Sequence, residues 1–200
     1  MSPILGIYAS QISGHLFAPS GAYDSIATVT LGTSASTISF TSIPSTYTHL
    51  VLRGSIQSNR GSYNIDNATV RFNSDSGANY SRHNVNASAS TTTAPEAYGT
   101  GGATFGGPIP VVTGVATSVF NGFVMDVLDY ANTSKYKTMR ILAGYDVNGT
   151  GGTGSFGGTV GLYSGAWQNT AAITSITLAP VDGTAFTQYS TVSLYGIKGN

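Results

Sequence analysis

The sequence predicts an all-β chain: an antiparallel β-sandwich, jelly-roll-like, with an extended N-terminal arm. Three observations carry this prediction. Short segments alternate apolar and polar residues with the period of two that a half-buried strand requires. Gly, Ser and Thr together fill 77 of the 200 positions, a composition suited to strands joined by glycine turns. No helical period runs long enough to supply a crossover between parallel strands. At 200 residues and 40% hydrophobic content the chain can bury an ordinary core, and one compact unit is expected.

Charge and cysteine content narrow the function classes. Lys and Arg number 8, Asp and Glu number 8, and charged residues reach only 8%. That balance argues against a nucleic-acid partner bound through phosphate neutralisation. The absence of cysteine removes disulfides, thiol nucleophiles and Cys-type zinc sites, so stability must come from packing and association. No apolar run approaches the roughly 18 residues of a membrane span, and the opening residues, without Lys or Arg, do not read as a signal peptide.

The elements follow in chain order. Residues 1–21, MSPILGIYASQISGHLFAPSG, are broken by Pro3, Gly6, Gly14 and Pro19 and read as an extended arm. A solvated tail gains nothing from Ile4, Leu5, Ile7, Tyr8, Ile12, Leu16 and Phe17, whereas burying them stabilises at roughly 25 cal/mol per Å². They are the candidate assembly anchor, lying either on a neighbouring subunit or back over their own domain. Residues 22–200 form the sandwich domain. Ala27, Val29 and Leu31 face one way and Thr28 and Thr30 the other, and Gly32 marks a turn. Ile38 and Phe40 point inward in the next strand, and Leu50 and Leu52 oppose His49, Val51 and Arg53 in Tyr47 to Ile56. Further strands are expected at Ala68–Asn73, Asn79–Val85, Ser118–Tyr130, Lys137–Tyr145, Thr159–Trp167, Ile173–Leu178 and Gln188–Ile197. Ser88 to Gly107, SASTTTAPEAYGTGGATFGG, lacks large apolar residues and reads as an exposed loop. Asn148 to Gly158, NGTGGTGSFGG, reads as a hairpin tip.

Reactive chemistry finds little support in these residues. Gly152, Gly154 and Gly157 match G-x-G-x-x-G, as do Gly149, Gly151 and Gly154, but a strand follows where a dinucleotide site needs a helix N-terminus. His15, His49 and His83 lack metal-ligand spacing, and His49 and His83 read as outer-face polar residues. Asp126 and Asp129 sit on opposite faces of their strand, unlike a glycosidase pair, and are expected to cap the strand end or to pair with Lys135, Lys137 or Arg140 across the next hairpin. Asp66, Asp75, Asp146 and Asn148 read as turn formers without EF-hand spacing. No cofactor or metal is expected. Five sequons, at Asn67, Asn79, Asn86, Asn132 and Asn148, arise readily in a Ser/Thr-rich chain. Tyr98, Phe105, Phe156, Tyr163 and Trp167 near loops are candidates for a sugar-stacking platform, with core or subunit-contact roles as the alternative.

Several stretches read as a set: YDSIATVTLGTSASTISFTSIPSTYTHLVLRGS, RFNSDSGANYSRH, VLDYANTSKYKTMRILAGYD, GAWQNTAAITSITLAP and FTQYSTVSLYGIKGN, with SPILGIYASQISGHLF at the start. Together they resemble tailed-bacteriophage virion proteins, small β-rich structural components of the particle. The resemblance implies no catalytic residues and no cofactor. It implies a particle-surface protein assembled in the bacterial host cytoplasm, whose partners are itself, expected as a homotrimer, and the major capsid protein or other virion proteins, with no nucleic acid or membrane. The leading expectation is a capsid decoration (cement) protein stabilising the major capsid lattice. The alternative is a tail-fibre or receptor-binding module, with Tyr98, Phe105, Phe156 and Trp167 as glycan contacts. A depolymerase would need a carboxylate pair that is not apparent.

Overall fold

The computed structural model describes residues 22–61, 63, 65–88, 91–100, 103–110, 118–146 and 158–199, with 91 and 103–110 described through their backbone alone. The assembly-anchor residues Ile4 to Phe17 and the hairpin tip between 147 and 157 lie outside them.

Every strand pairing is antiparallel, and no helix occurs among the described residues. The larger sheet holds nine strands: β1 (Tyr23–Thr30), β13 (Thr191–Ile197), β3 (His49–Ser55), β9 (Gly122–Leu128), β10 (Lys137–Asp146), β11 (Gly158–Trp167), β5 (Tyr80–Ser88) and β6 (Thr91–Thr93), in that spatial order, with β7 (Glu96–Thr100) also paired to β5. The smaller sheet orders four strands as β2 (Ile38–Phe40), β12 (Ile176–Pro180), β4 (Ile65–Phe72) and β8 (Ala103–Pro110). The two layers form a β-sandwich.

Alternation explains the packing. Leu50, Leu52, Met125, Val127, Met139, Ile141, Val192 and Leu194 of the larger sheet, and Ile38, Phe40, Val70, Phe72, Ile176 and Leu178 of the smaller, belong to one buried cluster. At β1 the expected phase breaks. A bulge between Ser25 and Ala27 inserts one residue, so Ile26 and Val29 pack against the core while Ala27 is exposed.

The expected loop from Ser88 to Gly107 contains β6, β7 and the start of β8. These are edge additions: β6 and β7 pair only with β5, and β8 only with β4. Ladder hydrogen bonds need backbone alone, and threonine suits a strand without a large apolar side chain. The strand expected from Ser118 begins at Gly122; at Asn121 one backbone bond to the Ile56 carbonyl persists (3.2 Å), while the returning Ile56 amide donates to the Asn121 side-chain oxygen (2.9 Å) instead of to backbone. Likewise β12 begins at Ile176 rather than Ile173, since Asn73 Oδ1 accepts from the amides of Thr174 (2.8 Å) and Ser175 (3.1 Å).

Buried polar groups tie the loops to the sheets. Asp66 lies within β4, not in a turn, and is fully buried. Its carboxylate accepts from Ser58 Oγ (2.5 Å), its neighbour's amide at Asn67 (2.7 Å) and the amides of Asp182 (3.1 Å) and Gly183 (2.9 Å). Lys137 is also fully buried. It pairs with neither Asp126 nor Asp129. Its Nζ donates to the carbonyls of Asn132 (2.6 Å), Lys135 (3.0 Å) and Thr170 (3.0 Å), so one cation joins the β9–β10 turn to the segment after β11. Asp129 is held instead by Lys135 at 2.6 Å.

Replacing Lys137 with Met keeps the aliphatic stem and strips three carbonyls of their donor. Unfolding in urea is expected to show a loss of about 2–3 kcal/mol with an unchanged slope; a variant as stable as the parent would show that these bonds contribute nothing net.

Candidate interaction face

Register across the larger sheet sorts its outer face into rows. One row reads Arg53, Val124, Leu142, Leu162, Val85 from β3 to β5. On one side of it, beyond the buried Val51, runs a polar row of Asp126, Arg140, Ser164 and His83, ending at Glu96 of β7. On the other side run small residues and one valine: Gly122, Gly144, Val160, Ala87 and Thr92 of β6.

The apolar members are open to solvent. Val85 is 48% exposed, Leu142 55%, Val160 52% and Leu162 57%, and all four occupy adjacent positions on β5, β10 and β11. Isolated surface leucines are ordinary, and their contiguity here makes this face the candidate contact surface. Two hollows flank it. Missing side chains at Gly122 and Gly144 leave a depression of about 460 Å³ bordered by Val124, Leu142 and Val160, and a second of about 380 Å³ lies among Val85, Pro95, Leu162 and Ser164. Gly144 is required as glycine, since a Cβ there would meet the Thr159 carbonyl at 2.7 Å, whereas a Cβ at Gly122 would meet nothing within 4 Å. Paired polar groups line this row: Arg140 lies 3.9 Å from Asp126, and His83 Nε2 lies 2.8 Å from Glu96.

These contact residues were not expected from the sequence. The signal is present in RILAGYD and TVGLYSG, where apolar residues fall on both faces of the strand. Knowing which face is outward requires knowing which sheet each strand joins.

Of the candidates for a glycan platform, Tyr98 is at the surface and Trp167 and Tyr163 are in the core. Tyr98 is 71% exposed on β7. Phe105 lies on β8, of which only the backbone is described, and Phe156 lies outside the described residues. Trp167 and Tyr163 are 1% and 2% exposed, because both occupy inward positions of β11. Trp167 stacks on Tyr80 with ring centroids 6.3 Å apart and packs against Phe72 at 5.7 Å. Its indole N–H donates to Asp75 Oδ2 at 2.7 Å, which satisfies the one polar atom of an otherwise apolar residue. Asp75 also accepts from Asn79 Nδ2 (2.9 Å) and the Gly77 amide (2.8 Å). These bonds, led by that from Trp167, hold its carboxyl below the usual carboxylate range.

His49 Nδ1 accepts from the Asp129 amide at 2.9 Å, which makes it a loop tie. Among the described residues no three His, Asp or Glu side chains gather as a metal-ligand set.

No family model matches the chain, and neither does any curated protein. Among solved structures it is similar to one described as "Putative pore-forming toxin from Bacteroides vulgatus", at 7% identity and a TM-score of 0.10, covering 78% of this chain and 60% of that one. A likeness of that degree carries no argument.

Asp75 yields a pH prediction. Its folded pKa lies below the unfolded value near 3.9, so its contribution to stability is present above about pH 4 and is lost as pH falls through the folded pKa. Asp75→Asn is expected to flatten the acid limb of stability against pH and to cost about 1–2 kcal/mol at pH 7. Thermal melts between pH 2 and 7 check this; an acid limb unchanged by the substitution would remove Asp75 from the account.

Proposed function

We propose that this chain is a non-enzymatic structural protein on the surface of a tailed-bacteriophage particle, a trimeric capsid decoration protein that works by binding copies of itself and the major capsid lattice. The observation that carries the reading is the in-register apolar row Leu142, Leu162 and Val85, with Val160 beside it, exposed on the larger sheet. A shallow, broad apolar face fits a protein partner better than a small substrate, for which an enclosed cleft is the rule.

The strand order supports it. The eight strands β1, β2, β3, β4, β8, β9, β12 and β13 switch between the sheets at every step in chain order except from β4 to β8, which are neighbours in the smaller sheet, giving β1-β13-β3-β9 over β2-β12-β4-β8. We read this wiring as a jelly roll, an architecture frequent in viral capsid domains, with β5–β7 and the β10–β11 hairpin as insertions that widen one sheet. Those insertions supply most of the exposed apolar row. The sequence resemblance to virion proteins points the same way. An apolar arm at residues 1–21 would anchor the domain, since symmetry multiplies each weak contact.

Quantitative mass spectrometry of purified virions tests the reading. About one copy per major capsid subunit is expected of a lattice decoration. A ratio of a few per cent would indicate a tail fibre or receptor-binding module, and absence from virions would overturn the reading. Replacing Ile4, Leu5 and Ile7 with Ser is expected to abolish particle occupancy while the sandwich stays folded; full occupancy by that variant would remove the arm as anchor.

A further inference from the structure

We infer that the outer face of β9, β10, β11 and β5 is a self-docking surface on which a second copy of this chain packs, face to face, about a two-fold axis running parallel to the strands between β10 and β11. The inference deepens the self-association in the proposed function and uses the same apolar row, but it is tested on the isolated protein, so its failure and that of the virion assignment are told apart.

Register makes the face complementary to itself. Rotation about that axis exchanges β10 with β11 and β9 with β5 while keeping each row opposite its own copy. In the central row, Leu142 of one copy then meets Leu162 of the other, and Val124 meets Val85. In the row of small residues, Val160 sits over Gly144 and Ala87 over Gly122, so each copy's ridge enters the other's hollow of about 460 Å³. In the polar row, Asp126 meets His83 and Arg140 meets Ser164, with no like charges opposed. An axis perpendicular to the strands would instead set the charged row over the glycines.

Area supports the same occupant. Four half-exposed Leu and Val side chains present roughly 350–400 Å² of apolar surface, and one side of a standard interface buries about 800 Å², a little over half of it apolar. The net charge of zero sets no long-range repulsion against pairing.

The test is sedimentation equilibrium of the full chain from micromolar to millimolar concentration, with Leu142→Asp and Gly122→Trp as variants. Leu142 is exposed, and a Cβ at Gly122 has open space, so each variant is expected to keep the parent's circular dichroism and melting temperature. The parent is expected to associate through a two-fold step, forming dimers or pairs of trimers. Each variant is expected to weaken that step tenfold or more, because every substitution acts twice across the axis. Because the chain has no cysteine, Val124→Cys with Val85→Cys adds a positional readout. The two sites are three strands apart within one chain, roughly 14 Å, so a short bismaleimide is expected to join copies rather than close within one. Absence of two-fold association in the parent, association unchanged by both variants, or association lost only on deleting residues 1–21 would each overturn the inference; the last would assign the contact to the arm.

Discussion

Side-chain alternation along a continuous antiparallel ladder is the constraint from which the rest of the structure follows. From β1 to β5 the larger sheet keeps its register except at the bulge beside Ile26. Each residue's face is therefore decided by its neighbours on either side, and a slip of one residue would turn Met125, Met139 and Ile141 out to water and bring Asp126 and Arg140 inside. The burial of one apolar layer between the two sheets enforces the register, and the register in turn arranges the outer face into rows.

With few charges and no disulfides, the chain secures its loops through hydrogen-bonded polar groups, of which Lys137 and Asp66 are fully buried and Asp75 half-buried. Lys137 gathers carbonyls from two segments, Asp66 gathers amides from β4 and the turn after β12, and Asp75 joins the β4–β5 turn to Trp167. In each case these direct hydrogen-bond partners are neutral groups. Such groups stabilise by directing loop paths, since their own desolvation offsets much of what the hydrogen bonds contribute.

The inner faces are packed with large side chains, Met139, Ile141 and Tyr163 among them, and the exposed aliphatic residues concentrate on the outer face of β5, β10 and β11. That face points away from the smaller sheet, which therefore gives it no cover. Polar residues normally occupy such a face, so Leu142, Val160 and Leu162 there point to cover from another molecule. Trp167, the largest aromatic of the chain, has gone to the core instead. Its indole needed one acceptor, and Asp75 supplied it from a neighbouring turn.

Local pattern alone determined the all-β class and most strand positions, because period-two alternation and glycine turns depend on neighbours in sequence. It also placed Ile38, Phe40, Leu50 and Leu52 inward. That Asp126 and Asp129 face cations from the next hairpin was legible from spacing, whereas which cation each one meets was not. The edge strands in the Ser88–Gly107 stretch were not, since backbone pairing leaves no mark on side-chain pattern. Nor was the interaction face, because β9, β10 and β11 are apolar on both sides, and only the partner sheet shows which side is covered. The roles of Lys137 and Trp167 likewise depended on segments more than thirty and ninety residues away, contacts that tertiary structure creates and no local pattern encodes.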